Sequence, residues 1–136
     1  MKELKMNEKE LLERTKAFAL RIMKLVDVLP NTTAGRAVAS QLVRAGTSVA
    51  ANYRAACRGR SKAEFIAKLG TVEEEADESA FWLEIVIDSG MMKESLVADL
   101  RQEASEITAI MAASKMTARK SSINDRKSQI ANRRSK

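Results

Sequence analysis

The chain has 136 residues, with 24 lysines and arginines against 18 aspartates and glutamates, one cysteine and no histidine. This length suits one domain with a buried core, and five glycines, one proline and 4% aromatic residues favour helices over strands. The lone Cys57 excludes an internal disulfide, and no apolar run reaches the roughly 20 residues of a membrane span. We therefore expect a cytoplasmic protein with no membrane role.

The net charge of +6 is unevenly distributed. Residues 1–60 carry 12 basic and 5 acidic side chains, which gives +7, and residues 61–115 carry 5 and 12, which gives −7. Residues 116–136 carry 7 and 1, which gives +6. The first two segments balance each other, so the surplus of positive charge belongs to the C-terminal segment.

Apolar residues spaced alternately by 4 and 3 positions predict four helices, over about residues 8–29, 33–58, 62–88 and 92–115. Capping residues precede the first three, with Asn7 before the first, Thr32 or Thr33 before the second and Ser61 before the third. The helices are similar in length and joined by short connections. These features predict an all-α, antiparallel, up-down-up-down four-helix bundle over residues 1–117.

The second predicted helix carries an amide inside its apolar stripe, which consists of Val38, Leu42, Ala45, Val49, Asn52 and Ala56. A buried Asn52 needs hydrogen-bond partners, because an unpaired amide costs about 1 to 3 kcal/mol. The predicted partners are Gln41, Ser48 and Ser79, together with Arg44, which would pair with Glu75 or Glu78. This polar core is expected to fix helix register, as buried asparagines do in coiled coils, and ligand binding is the alternative.

The last segment, residues 118–136, is predicted to be a flexible basic tail. Residues 123–129 and 130–136 repeat the pattern of one isoleucine followed by six mostly polar residues. One isoleucine in seven buries too little surface to offset the lost conformational entropy, so at most a frayed extension of the fourth helix is expected. The segment is either a basic arm for phosphate backbones or a solvated tail without a specific role.

Several short motifs of the second and third helices occur together at a distinctive spacing: Gln41-Leu42-Val43-Arg44-Ala45, Ser48-Val49-Ala50-Ala51-Asn52, Arg60-Ser61-Lys62 and Glu64-Phe65-Ile66. Through them the chain resembles, over about residues 10–115, the four-helix-bundle family first noticed as reading frames in intervening sequences of bacterial 23S ribosomal RNA genes. The acidic residue and glycine usual in that family are Ala55 and Ala56 here, so no role of that acidic residue is carried over.

The resemblance implies a homo-oligomer, a ring of five subunits in members that have been assembled, and it implies no catalysis. Related proteins include the accessory protein of diversity-generating retroelements, which works with a reverse transcriptase and its RNA through a basic surface. The partners implied for this chain are thus further copies of itself, RNA or DNA, and a reverse transcriptase or another protein.

The residue inventory also argues against an enzyme, since the chain lacks histidine, the commonest general base and metal ligand. Glu74 and Glu78 share a helix face and could hold a divalent cation, but acidic runs more often form solvated faces or ion pairs. Cys57 lies near several arginines that would favour a thiolate, yet no base accompanies it. We therefore expect no catalytic residue, no metal and no cofactor.

The candidate nucleic-acid-binding residues are Arg54, Arg58, Arg60 and Lys62, at the junction of the second and third helices. A ring would repeat this patch in every subunit, which strengthens binding to phosphates. The sequence predicts a non-catalytic, oligomeric adaptor that associates with nucleic acid, RNA above all, by contacting the nucleic-acid backbone. It would act as an accessory to an enzyme such as a reverse transcriptase. The alternative is a protein–protein scaffold or self-assembling bundle with no nucleic-acid role.

Overall fold

The computed structural model describes residues 6–134, which form four α-helices: α1 Glu8–Val26, α2 Thr33–Cys57, α3 Lys62–Asp88 and α4 Glu94–Arg134. Successive helices pack against each other in antiparallel order, so the predicted all-α bundle is confirmed. The first five residues of the predicted bundle and the last two of the predicted tail lie outside the described residues. None of the described helices is both long and apolar enough to cross a lipid bilayer.

Side-chain caps fix where the first three helices begin. The Asn7 side chain accepts a hydrogen bond from the N–H of Glu10, and the Thr32 hydroxyl accepts one from Gly35. Ser61 does the same for α3 by accepting from the N–H of Glu64. Because each cap satisfies an N–H that the helix itself leaves unpaired, the predicted starts are confirmed.

The core is mostly aliphatic and continuous through all four helices. Its largest fully buried side chains include Phe18, Ile22, Leu42, Leu69 and Leu83. The predicted stripes are buried in α1, α2 and α3 with few exceptions. In α4 the residues Leu100, Ala104, Ile107 and Met111 are buried as predicted, whereas Leu96 is exposed and its neighbour Val97 is buried instead.

The four sides of the bundle are unequal. The contact between α1 and α4 is the least extensive, and an open cleft of about 280 Å³ lies between them, lined in part by Arg21, Leu25 and Leu96. Closer to the start of α1, Arg14 donates hydrogen bonds to Glu103 of α4 at 2.6 and 2.8 Å. This partly buried ion pair holds α1 against α4 where apolar contact is sparse.

The end of α4 differs from the prediction. The helix does not stop near Lys115 but continues to Arg134, through the segment predicted as a flexible tail. No glycine or proline follows Gly90, and the bundle has already nucleated the helix, so each further residue adds a hydrogen bond without a new nucleation cost. Ala118 is the last buried residue of α4 among those described, and residues 119–134 are called the α4 extension below.

Candidate nucleic-acid interface

The corner between α2 and α3 is short and held by local hydrogen bonds. The N–H of Gly59 donates to the carbonyl of Ala56 at 3.1 Å, which closes the end of α2. The N–H of Arg60 donates to Oε2 of Glu64 at 2.7 Å, while Ser61 caps α3. The backbone that carries the predicted basic residues is therefore fixed by its own capping groups.

Three arginines surround this corner with their charge unopposed. The side chains of Arg54, Arg58 and Arg60 are exposed, and none forms an ion pair or a side-chain hydrogen bond with the part of the chain that the structure describes. The Glu64 carboxylate close by accepts from the Arg60 backbone instead of from a guanidinium. The corner thus presents three free guanidinium groups.

Lys62, the fourth predicted residue, faces the α4 extension. Its Nζ donates to Oγ of Ser121 at 2.8 Å and lies 3.9 Å from Oδ2 of Asp125. The extension therefore runs past the corner alongside the start of α3. The eight residues from 127 to 134 project beyond it by about 12 Å, with exposed side chains at Lys127 and Arg133.

The predicted polar core does not form among the described residues. Asn52 is half-buried, and its amide donates to the carbonyl of Ser48 at 3.0 Å, one turn back on its own helix. Ser79 is fully buried but donates to the carbonyl of Glu75 on α3, while Gln41 lies exposed. Asn52 and Ser79 each donate to a carbonyl of their own helix, so no side-chain network connects them.

Tyr53 takes the core position predicted for Asn52 and is 3% exposed. The aromatic ring removes much more apolar surface from water than an amide does, so burial of Tyr53 is favoured. Alternating steps of 4 and 3 residues predicted Asn52 as the core residue after Val49. A helix of 3.6 residues per turn also permits two successive steps of 4, from Ala45 to Val49 and then to Tyr53. The size of the Tyr53 side chain was the sequence signal for this register.

Arg44 lies outside the core and joins α2 to α3. As expected, it pairs with Glu75, at 3.1 Å, and with Glu78. Hydrogen bonding to Arg44 lowers the pKa of Glu78, and Nε1 of Trp82 adds a hydrogen bond of 3.1 Å to the same carboxylate. The same pairing raises the pKa of Arg44, chiefly through Glu78.

Two of the groups considered for catalysis or metal binding, Cys57 and Glu78, are engaged by burial and by an ion pair. Burial raises the pKa of the Cys57 thiol, in contrast to the lowered value that the nearby arginines suggested. Glu78 is engaged by Arg44, and Glu73 pairs with Lys115 at 2.6 Å. Within residues 6–134, no three acidic or thiol groups converge as metal ligands.

Comparison with known protein families finds one whose sequence profile matches this chain. The profile of the family described as 23S rRNA-intervening sequence protein matches residues 7–113, which is most of the chain. The chain belongs to this family.

A solved structure of the same kind agrees with that assignment. It is the crystal structure of a protein of unknown function from the S23 ribosomal protein family of Bacteroides thetaiotaomicron VPI-5482. The two chains share 29% identity with a TM-score of 0.76, and the alignment covers 82% of this chain and 99% of that one. A search of curated proteins finds no match.

The corner arginines lie within the residues matched by the 23S rRNA-intervening sequence protein family, whereas the α4 extension begins after the match ends at residue 113. The extension therefore lies outside the part of the chain that the family profile matches. Sequence reasoning recognised its basic character but not its helical state, although the absence of glycine and proline was a signal for it.

Proposed function

We propose that this protein is a non-catalytic, oligomeric helical adaptor that binds nucleic acid, RNA above all, through the sugar-phosphate backbone. The observation that carries the proposal is the group of three exposed, unpaired guanidinium groups of Arg54, Arg58 and Arg60 around a rigid corner. Guanidinium groups bind phosphate oxygens in pairs of hydrogen bonds, and a fixed backbone limits the entropy lost on binding. Lys62 adds a fourth positive charge beside them.

Backbone contact is the mode of binding that fits this surface. Base stacking needs exposed aromatic side chains, and Phe81, the large exposed aromatic of the described residues, lies about 28 Å along α3 from the corner. Such binding is insensitive to base sequence and depends strongly on salt. An oligomer would multiply the corner and thereby raise the affinity for a long strand.

As an accessory to an enzyme that acts on nucleic acid, such as a reverse transcriptase, the adaptor would hold the strand and leave the chemistry to its partner. This assignment agrees with the raised pKa of the Cys57 thiol and with the pairing of Glu73 and Glu78 to cationic side chains. It requires no cofactor.

The test is RNA binding by full-length protein, measured by fluorescence anisotropy with a short unstructured RNA over a salt series. Three variants each remove three cations: Arg54→Ala/Arg58→Ala/Arg60→Ala at the corner, Arg126→Gln/Lys127→Gln/Arg133→Gln on the α4 extension, and Lys16→Ala/Arg21→Ala/Lys24→Ala on α1 as the control. We expect the corner variant alone to lose most of the affinity. Its slope of log K against log salt should fall by about 2 per chain, since each single-strand phosphate contact contributes about 0.7.

Two results would overturn the proposal. Equal weakening by all three variants would mean attraction to overall charge and no site at the corner. No binding by the wild-type protein at low salt would leave the alternative, a protein–protein scaffold without a nucleic-acid role.

A further inference from the structure

The sequence from residue 116 to residue 136, which includes the α4 extension, contains three consecutive seven-residue repeats. Residues 116–122 read MTARKSS, residues 123–129 read INDRKSQ and residues 130–136 read IANRRSK. Each begins with an apolar residue and has two cations at its fourth and fifth positions. At 100° per residue these three positions share one helix face, so they form a continuous stripe.

The stripe points away from the bundle. On the opposite face, Ala118 is buried and both Ser121 and Asp125 contact Lys62 of α3. On the stripe itself, Ile123 is 48% and Ile130 is 49% exposed. The stripe residues described by the structure are Met116, Arg119, Lys120, Ile123, Arg126, Lys127, Ile130 and Arg133, and all are exposed.

A second exposed stripe of opposite charge runs along α3. From residue 74 onward the exposed residues of this helix are Glu74, Asp77, Phe81, Glu84 and Asp88. They follow steps of 3, 4, 3 and 4, so they also form one face. Phe81, in the middle of this stripe, is 49% exposed and forms an edge-to-face contact with Trp82 at 5.0 Å between ring centroids.

The two stripes have matching patterns. Phe81 has Asp77 four residues before it and Glu84 three residues after it, and Ile123 has cations at three and four residues on both sides. An apolar contact between Ile123 and Phe81 therefore places cations opposite Asp77 and Glu84 whether the helices run parallel or antiparallel. This is the spacing at which packed helices exchange flanking ion pairs. Glu84 also lies 3.5 Å from Arg101 of its own chain, in a solvent-exposed ion pair that a second cation can join.

The contact cannot form within one chain. Lys62 lies beside Asp125 and Glu73 pairs with Lys115, so Ile123 lies alongside the first turn of α3. Phe81 is about 25 Å farther along the same helix. The two stripes can meet only between two molecules, either reciprocally in a two-fold dimer or head to tail in a ring, and in both arrangements each copy offers one stripe and receives the other.

We propose that the cationic stripe of α4 in one copy docks on the acidic stripe of α3 in a second copy. Charge complementarity selects a second copy over an unrelated occupant, because this chain itself supplies both halves at the same spacing. The docking covers Phe81, Ile123 and Ile130, which are otherwise exposed to water. It does not use Arg54, Arg58 or Arg60, so a failure of this docking would leave the binding of a short RNA at a single corner unchanged.

The test uses two full-length variants with reversed charge. Variant one carries Asp77→Lys and Glu84→Lys, and variant two carries Arg119→Glu, Lys120→Glu, Arg126→Glu and Lys127→Glu. Sedimentation velocity of RNA-free protein reports association, and far-UV circular dichroism confirms that each variant is folded. A control with Glu13→Lys and Asp99→Lys has the net charge of variant one but alters neither stripe.

We expect the wild-type protein and the control to form larger species than either variant alone. An equimolar mixture of the two variants should regain association. The reversed α3 stripe of variant one is complementary to the reversed α4 stripe of variant two, and their unaltered stripes are complementary as in the wild type. Folded variants that keep the wild-type sedimentation, or that fail to associate on mixing, would overturn the proposal. A wild-type protein that shows no association in low salt would also overturn it.

Discussion

At the scale of single residues, Arg44 shows how an exposed cation can orient two helices. It reaches from α2 to Glu75 and Glu78 on α3, and Trp82 donates to the same Glu78 carboxylate. An isolated surface ion pair contributes about 0.2 to 1 kcal/mol to stability. Here one carboxylate accepts from two helices, so its ionised form is favoured in the folded state and its pKa is lowered.

The first prediction follows from this pKa. A carboxyl group whose pKa is lower in the folded state stabilises the protein at pH values above its pKa in the unfolded chain, near 4.5. This contribution is lost as the pH falls through the folded-state pKa. Glu78→Gln should therefore lower the free energy of unfolding at pH 7 by up to about 1 kcal/mol. The difference from wild type should shrink as the pH falls below 4.5, so it should be smaller at pH 3 than at pH 7. Urea denaturation at the two pH values checks this, with Glu74→Gln as the control, because Glu74 is exposed on the same helix. A loss for Glu78→Gln that is equal at both pH values would contradict it.

The residue scale is also where the sequence was least sufficient. Periodicity predicted the buried aliphatic residues of α2 but chose Asn52 over Tyr53, since both fit a helical stripe within the breadth of one face. The pairing of Arg44 was predictable because opposite charges lay on facing helices. The hydrogen bond from Asn52 to a backbone carbonyl of its own helix was not predicted, because the apolar stripe was assigned with that amide in the core.

At the scale of helices, α1 and α2 pack in close contact at Gly46. A Cβ added there would lie 2.8 to 3.0 Å from three side-chain atoms of Ile22, including its Cβ. Ile22 is fully buried and branched close to the backbone, so it cannot turn aside. The absence of a side chain at Gly46 therefore sets the distance between α1 and α2.

The second prediction compares two glycines in helices. Gly46→Ala gains about 1 kcal/mol of helix propensity but overpacks the core at a cost of about 1 to 3 kcal/mol. We expect a net loss of about 1 kcal/mol in the free energy of unfolding. Gly70→Ala is the matched control, because its Cβ would meet only Cδ of Lys115 at 3.9 Å, and it should stabilise the protein by about 0.5 to 1 kcal/mol. Thermal denaturation measures both, and stabilisation by Gly46→Ala would show that α1 can move away freely.

At the scale of the whole molecule, four helices and their antiparallel order could be predicted from periodicity, caps and connection length. The length of α4 could not, because the prediction weighed only how much surface residues 118–136 can bury. In the structure the bundle supplies a helix that is already formed at Ala118, and propagation needs far less stabilisation than nucleation. Local contacts of Lys62 with Ser121 and Asp125 add to this.

The third prediction separates the α4 extension from the bundle. Asn124→Pro removes one backbone hydrogen bond and places the proline ring against the carbonyl of Lys120, at a cost of about 3 kcal/mol. The extension buries almost nothing to offset that cost, so residues after 120 should lose amide protection in hydrogen exchange while the melting temperature of the bundle stays unchanged. Asn124→Ala is the control and should keep or increase protection, because alanine is the better helix former. A fall of several degrees in melting temperature for the proline variant alone would instead make the extension part of the cooperative bundle.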